Sequence, residues 1–215
     1  MMGCFRLQSR ETWNEKILAV ALGAVLLSGC SMMDKSRDPK LNGVQGVTLE
    51  NNGTYEFLKS YQKSLSGKLN EGKIKVCIVR SISNDDVILD GSSSVTNSTF
   101  TSSIYVKNQV VASGGSVVNE AASSANNAVA NGTTSYYFDV MGMPIERVVK
   151  FTLDIDGTGS SVKYTFTNIK QAQKDTGTLT NSGFSPIGSW AGAGPYQTIQ
   201  ALDKIVSDIN SCASS

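Results

Sequence analysis

Histidine is absent from all 215 residues. That removes Ser-His-Asp and Cys-His nucleophile pairs, the HExxH metalloprotease helix and every His-ligated zinc site. With no imidazole, no side chain titrates near neutrality by default, so acid–base chemistry would need strongly perturbed carboxylates or lysines. An excess of either charge is lacking too. Lys and Arg number 19 against 18 Asp and Glu, a balance that suggests neither a nucleic-acid partner nor electrostatic docking on a membrane. Neither G-x-x-x-x-G-K-[ST] nor G-x-G-x-x-G occurs, so no motif implies a cofactor. Long apolar runs are missing except for one near the front.

That exception is the stretch 17–27, eleven residues without charge behind Arg6, Arg10 and Lys16. As a helix it would rise roughly 16 Å, about half of a ~30 Å hydrocarbon core. A basic lead, a short apolar core and then small residues make the layout of a secretory signal peptide, although Glu11 and Glu15 dilute the lead. Leu27-Ser28-Gly29-Cys30 then resembles the lipobox of bacterial lipoproteins. The resemblance covers about the first thirty residues. It implies a diacylglycerol on Cys30, cleavage between Gly29 and Cys30, and acylation of the new amino terminus. Several acyl chains on one residue hold firmly, because each buried methylene contributes ~0.8 kcal/mol and one chain alone binds only marginally. Ser31 implies, from the enteric members of the family, transfer to the outer membrane. The alternative is an ordinary secretory signal in which Cys30 is incidental.

Removing residues 1–29 leaves 186, enough for one domain with a core. The leader takes three of the 19 basic and two of the 18 acidic residues, so 16 of each remain. Cys4 leaves with the leader and Cys30 carries the lipid, which leaves Cys77 and Cys212. Two thiols exported to an oxidising compartment are expected to pair. Two buried free thiols are the alternative.

Residues 30–50 mix charge, Pro and Gly without a period and are expected to be a tether, with the folded domain over 51–215. The spacing of Phe57, Leu58, Tyr61, Leu65 and Leu69 predicts a helix over 54–69, with Thr54 as its N-cap. Ile74, Val76 and Ile78 alternate and predict a strand over 73–80, with a short partner at 87–90. Residues 91–135 are rich in Ser, Asn, Ala, Thr and Gly; a strand over 103–111 and a thin helix over 116–129 are expected there, in either a mobile excursion or a packed element. A strand over 133–142 and a hairpin over 147–169, turning at Asp156-Gly157, follow. After a polar, Gly-rich connection, Tyr196, Ile199, Leu202, Ile205, Val206, Ile209 and Cys212 form one helical stripe behind Pro195. The expectation is a single α+β domain: a twisted, mainly antiparallel sheet with an N-terminal and a C-terminal helix on one face. The segment from Tyr136 to Lys170, with "VVKFTLDIDGTGSSVKYTFTNI", resembles uncharacterised bacterial domains whose fold is like that of the TATA-binding protein. It covers a fifth of the chain and implies fold alone.

Four fragments carry possible chemistry. Ser60-x-x-Lys63 resembles the nucleophile motif of penicillin-binding proteins, but the K-T-G companion is missing. Asp154-x-Asp156-x-Thr158-Gly159 begins like a calcium loop, yet Thr165 stands where a bidentate Glu is required and the strand pattern runs through it, so a hairpin turn is the favoured reading over a weak calcium site. Asp85 and Asp86 are adjacent, which in a strand would send them to opposite faces. Phe184, Trp190 and Tyr196 flank glycines within thirteen residues; they either line a partner contact or close one edge of the core. The function expected from all this is a lipid-anchored envelope lipoprotein that binds another envelope component, without catalysis, metal or cofactor. A surface-displayed adhesion or exclusion module and a carboxylate-dependent envelope hydrolase are the rivals.

Overall fold

The computed structural model describes residues 35–96, 103–124, 127–157 and 160–214; the leader, Gly29 and Cys30 lie outside these residues. Its strands are β1 (Val47–Asn51), β2 (Glu56–Ser66), β3 (Val87–Thr96), β4 (Ser103–Ala112), β5 (Asn127–Val140), β6 (Met143–Asp156), β7 (Ser161–Gln173) and β8 (Ser185–Pro186). The helices are α1 (Glu71–Ser81) and α2 (Pro195–Ala213). Six strands form one antiparallel sheet in the order β1-β2-β7-β6-β5, with β8 added to β7, while β3 and β4 form a separate ribbon.

The core lies between one face of the sheet and the two helices. Val149, Phe151, Leu153 and Ile155 of β6 alternate inward, as do Val162, Tyr164 and Phe166 of β7. The α2 stripe of Ile199, Leu202, Ile205, Val206 and Ile209 packs on them. The α+β class, the antiparallel sheet, the β6–β7 hairpin and the C-terminal helix thus match what the alternation and the helical stripe predict. Val148 and Ala172, opposite each other across β6 and β7, are buried outside this cluster, as is Leu89 of the ribbon.

Two neighbouring segments exchange their expected roles. The helix predicted over 54–69 is strand β2, and the strand predicted over 73–80 is helix α1. A β-bulge explains the first. The register passes from Thr48↔Ser60 to Leu49↔Leu58, so Lys59 is an extra residue that shifts the phase of the alternation. Leu58 and Tyr61, three apart, are therefore both buried, and with Leu65 they imitate a helical stripe. In α1 the inward residues are Ile74, Cys77 and Ile78, at helical spacing, whereas Val76 and Val79 are exposed. The alternation that suggested a strand came from an outward valine. The side chain of Asn70 caps α1 by accepting from Gly72 N at 3.0 Å.

Two further expectations change. The thin helix over 116–129 is a 3-10 turn at Glu120–Ala122 followed by the start of β5, where Ala128 and Ala130 point inward. The strand there runs to Val140, longer than the 133–142 pattern indicates at its start. Of the 30–50 tether, residues from 35 onward belong to the fold: Asp38 and Leu41 are buried, and Asp38 N donates to Ser189 O at 2.8 Å. Cys77 and Cys212 are joined by a disulfide, Cα–Cα 5.7 Å, across 135 residues of chain. It links α1 to α2, not a strand to a helix.

Candidate binding surface

Trp190 sits beside Lys35, the first of the described residues. Its indole lies over Gly188, where a Cβ would come within 2.1 Å of the ring, so only glycine permits this seat. Tyr55 and Phe57 flank it with centroids 5.8 Å and 6.1 Å away. Lys35 Nζ stands 4.2 Å from the centre of the Tyr55 ring and 5.5 Å from that of Trp190. Arg37 donates twice to Glu56, at 3.0 Å and 2.8 Å. That hydrogen bond lowers the Glu56 carboxyl below its usual value and raises Arg37. The result is a partly buried aromatic group with Lys35 over its rings.

The other two aromatics expected at this contact go elsewhere. Tyr196 packs on the core near Lys40, whose Nζ is 5.7 Å from the ring. Phe184 is half-buried next to Gly183, which approaches Val110 of β4. Trp190 and Tyr196 are partly buried and pack against the core, which fits the core-edge alternative for these two. Sequence reasoning missed Lys35 and Tyr55, which fell in a presumed tether and a presumed helix.

The same end of the sheet is clamped by polar side chains. Arg147 Nη1 donates to Ala193 O at 2.7 Å and its Nη2 to Gly192 O at 3.1 Å. Gln171 Nε2 also donates to Ala193 O, and Tyr136 donates to Gln171 Oε1, each at 2.7 Å. These bonds hold the turn that starts α2, where Gly194 adopts φ +73°. Beyond the clamp, β5 and β6 continue as a hairpin that ends at Met141 and Gly142, with Met141 95% exposed.

A second apolar surface is the β3–β4 ribbon. Ile88, Tyr105, Val106, Val110 and Val111 are exposed on it. The β3 strand is tied to the body through Asp90 N to Lys174 O, at 2.7 Å, and Ser92 N to Leu179 O, at 3.0 Å. Among the described residues β4 pairs only with β3. An apolar strand with an open edge is a template for another chain.

The remaining candidates are not brought together into one cluster among the described residues. Ser60 and Lys63 lie three apart on β2, past the bulge, and so point to opposite faces. Asp85 and Asp86 lie in a loop: Asp85 accepts from the Ser83 hydroxyl at 2.7 Å and Asp86 from Gly114 N at 2.8 Å. Asp154 and Asp156 sit on β6 opposite Thr165 and Lys163, in strand register; Thr158 and Gly159 fall outside the described residues. Among the described residues no group of three or more His, Cys, Asp or Glu is placed to hold a metal. Tyr61 donates to Asp203 at 2.6 Å beside a 480 Å³ cleft, and Lys63 Nζ approaches the same carboxylate at 3.4 Å. Burial first, then this hydrogen bond, pushes the Tyr61 hydroxyl far above its usual range, so it stays protonated.

Comparison with family models, with curated proteins and with solved structures finds no match to this chain.

Proposed function

We propose that this protein is a lipid-anchored lipoprotein of the bacterial cell envelope, most simply of the outer membrane, working by binding rather than by catalysis. The observation that carries this reading is Leu27-Ser28-Gly29-Cys30 at the end of the only long apolar run, behind a basic lead. The Cys77–Cys212 bond agrees with an exported chain, and no helix among the described residues is long and apolar enough to cross a membrane. Lipid on Cys30 is then the attachment. The β3–β4 ribbon is the surface for an envelope protein, which would add a strand along β4 and cover Tyr105 and Val106.

The anchor is tested by metabolic labelling with palmitate and by Cys30→Ala. Label on the wild-type chain, with Cys30→Ala released to the soluble fraction, supports it. An unlabelled chain, or a Cys30→Ala chain that stays with membranes, overturns it. A photo-crosslinker replacing Tyr105 should give a discrete adduct in cells that the same group at Ser66 does not; equal adducts at both positions would remove the ribbon from the proposal.

A further inference from the structure

We infer that the end of the sheet carrying Trp190 and the β5–β6 tip rests on the bilayer, with Met141 and Met143 dipping into its headgroup region. This rests on the anchor proposed at Cys30. Two independent features of the fold place that end toward the lipid.

The first is reach. Lys35 Nζ lies over the Tyr55 ring. Cys30 is five residues away, and five residues span at most roughly 17 Å when fully extended. Lipoproteins on long tethers can face any direction; this fold cannot move its Lys35 end more than that from the lipid. Tyr55 and Trp190 are amphipathic rings of the kind that settle at headgroup level, and Lys35 beside them suits an anionic surface.

The second is the hairpin. The last β6–β7 register pair at this end is Arg147↔Gln173. Past it, Tyr137–Val140 and Met143–Glu146 pair with each other. Lys174 N still donates to Glu146 O at 3.0 Å, so the hairpin overhangs by about three residues, roughly 10 Å. Register fixes the direction: Tyr61 pairs with Phe166, and β2 runs from there back toward Phe57 as β7 runs toward Gln173. Tyr55 and the overhang thus lie at one end of the sheet. On the overhang Met141 is 95% exposed, Tyr137 68% and Met143 62%. Met141 also occupies a left-handed position, φ +53°, ahead of Gly142 at φ +82°. Such a turn favours Asn, Asp or Gly there. A flexible apolar side chain in a strained, fully exposed position serves no packing purpose within this fold, and a lipid surface within reach of Cys30 supplies its environment.

The test uses the mature chain from Cys30, with Cys77–Cys212 intact, coupled through the Cys30 thiol to a maleimide phospholipid in phosphatidylethanolamine–phosphatidylglycerol vesicles. Coupling is chemical, so the result does not depend on lipidation in the cell, which palmitate labelling decides separately. Trp190 is the sole tryptophan after residue 30. Headgroup-nitroxide lipids should quench it several-fold more than a tryptophan at Ser66, in Trp190→Phe/Ser66→Trp, at the opposite end of β2. In the unmutated chain, oxidation of Met141 and Met143 by a membrane-impermeant oxidant should slow several-fold on the vesicles relative to the uncoupled protein. Equal quenching at both positions, or unslowed methionine oxidation, overturns the orientation even if palmitate labels Cys30. Strong oxidation at the tip with Trp190 quenched would assign the tip to a protein partner and likewise overturn the dipping.

Discussion

The two ends of the sheet are built on different principles. At the far end, past Ser66, the last turn of α2 meets the start of α1: Asn70 N donates to Ala213 O at 3.0 Å, and the Cys77–Cys212 bond crosses beside it. Residues there are sealed by apolar burial and a covalent link. At the near end, the turn before α2 is held by Arg147, Gln171 and Tyr136 through hydrogen bonds, while methionines and rings stay open. The covalent link lies at one end, while the most exposed large apolar side chain, Met141, lies at the other.

Breaking the far end should cost most. Cys77→Ala/Cys212→Ala opens a loop of 135 residues, for which the chain-entropy model gives about 4–5 kcal/mol of lost stability, measurable by urea unfolding under non-reducing conditions. Trp190 emission in the folded double variant should be unchanged, since the indole's neighbours Tyr55, Phe57 and Gly188 are all at the near end. A shift in emission would mean that the two ends are mechanically coupled.

Crowding the near end should cost less. Gly188→Ala places a methyl where the Trp190 ring now lies, with ring atoms 2.1–2.5 Å away. The ring must swing outward, so a loss of roughly 1–3 kcal/mol is expected, with red-shifted emission. A variant as stable as wild type with unshifted emission would show that Trp190 is not held by that close approach.

Between the ends, Tyr164 answers to pH. Burial pushes its hydroxyl up to about 12, against ~10 in an unfolded chain. The folded state therefore disfavours the phenolate. Its contribution to stability is complete below pH ~10 and is lost as pH rises toward about 12. Urea midpoints at pH 9 and pH 11.5 should fall less in Tyr164→Phe than in wild type. An identical fall in both would assign the alkaline loss to other groups.

How much of this was legible beforehand follows from where the alternation is undisturbed. The β6–β7 hairpin and the α2 stripe could be read because Val149 to Ile155 and Tyr196 to Ile209 keep one phase throughout. The swap of β2 and α1 was not legible, because a single extra residue at Lys59 turns a strand's period into a helical one. The packing of residues 35–50 escaped for another reason: Asp38 is buried with its N–H on Ser189 O, some 150 residues later. Of the near-end surface, Trp190 was visible by its rarity. Its partners Lys35 and Tyr55 were not, since only the folded register brings them together.

The smallest stability effect is expected at the tip. Met141→Gln/Met143→Gln changes side chains that are 95% and 62% exposed, so unfolding free energy should stay within about 0.5 kcal/mol of wild type. That near-zero value is what separates a contact element from a structural one. A hairpin turn that existed only to join β5 to β6 would gain from Met141→Asn, which suits a left-handed position better than methionine does. If Met141→Asn raises the thermal midpoint while Met141→Gln leaves it flat, the native methionine is retained at some cost to the fold, and its purpose lies outside the chain. If Met141→Gln instead lowers the midpoint by several degrees, the tip packs against something within the molecule, and the contrast between a sealed end and an open one does not hold.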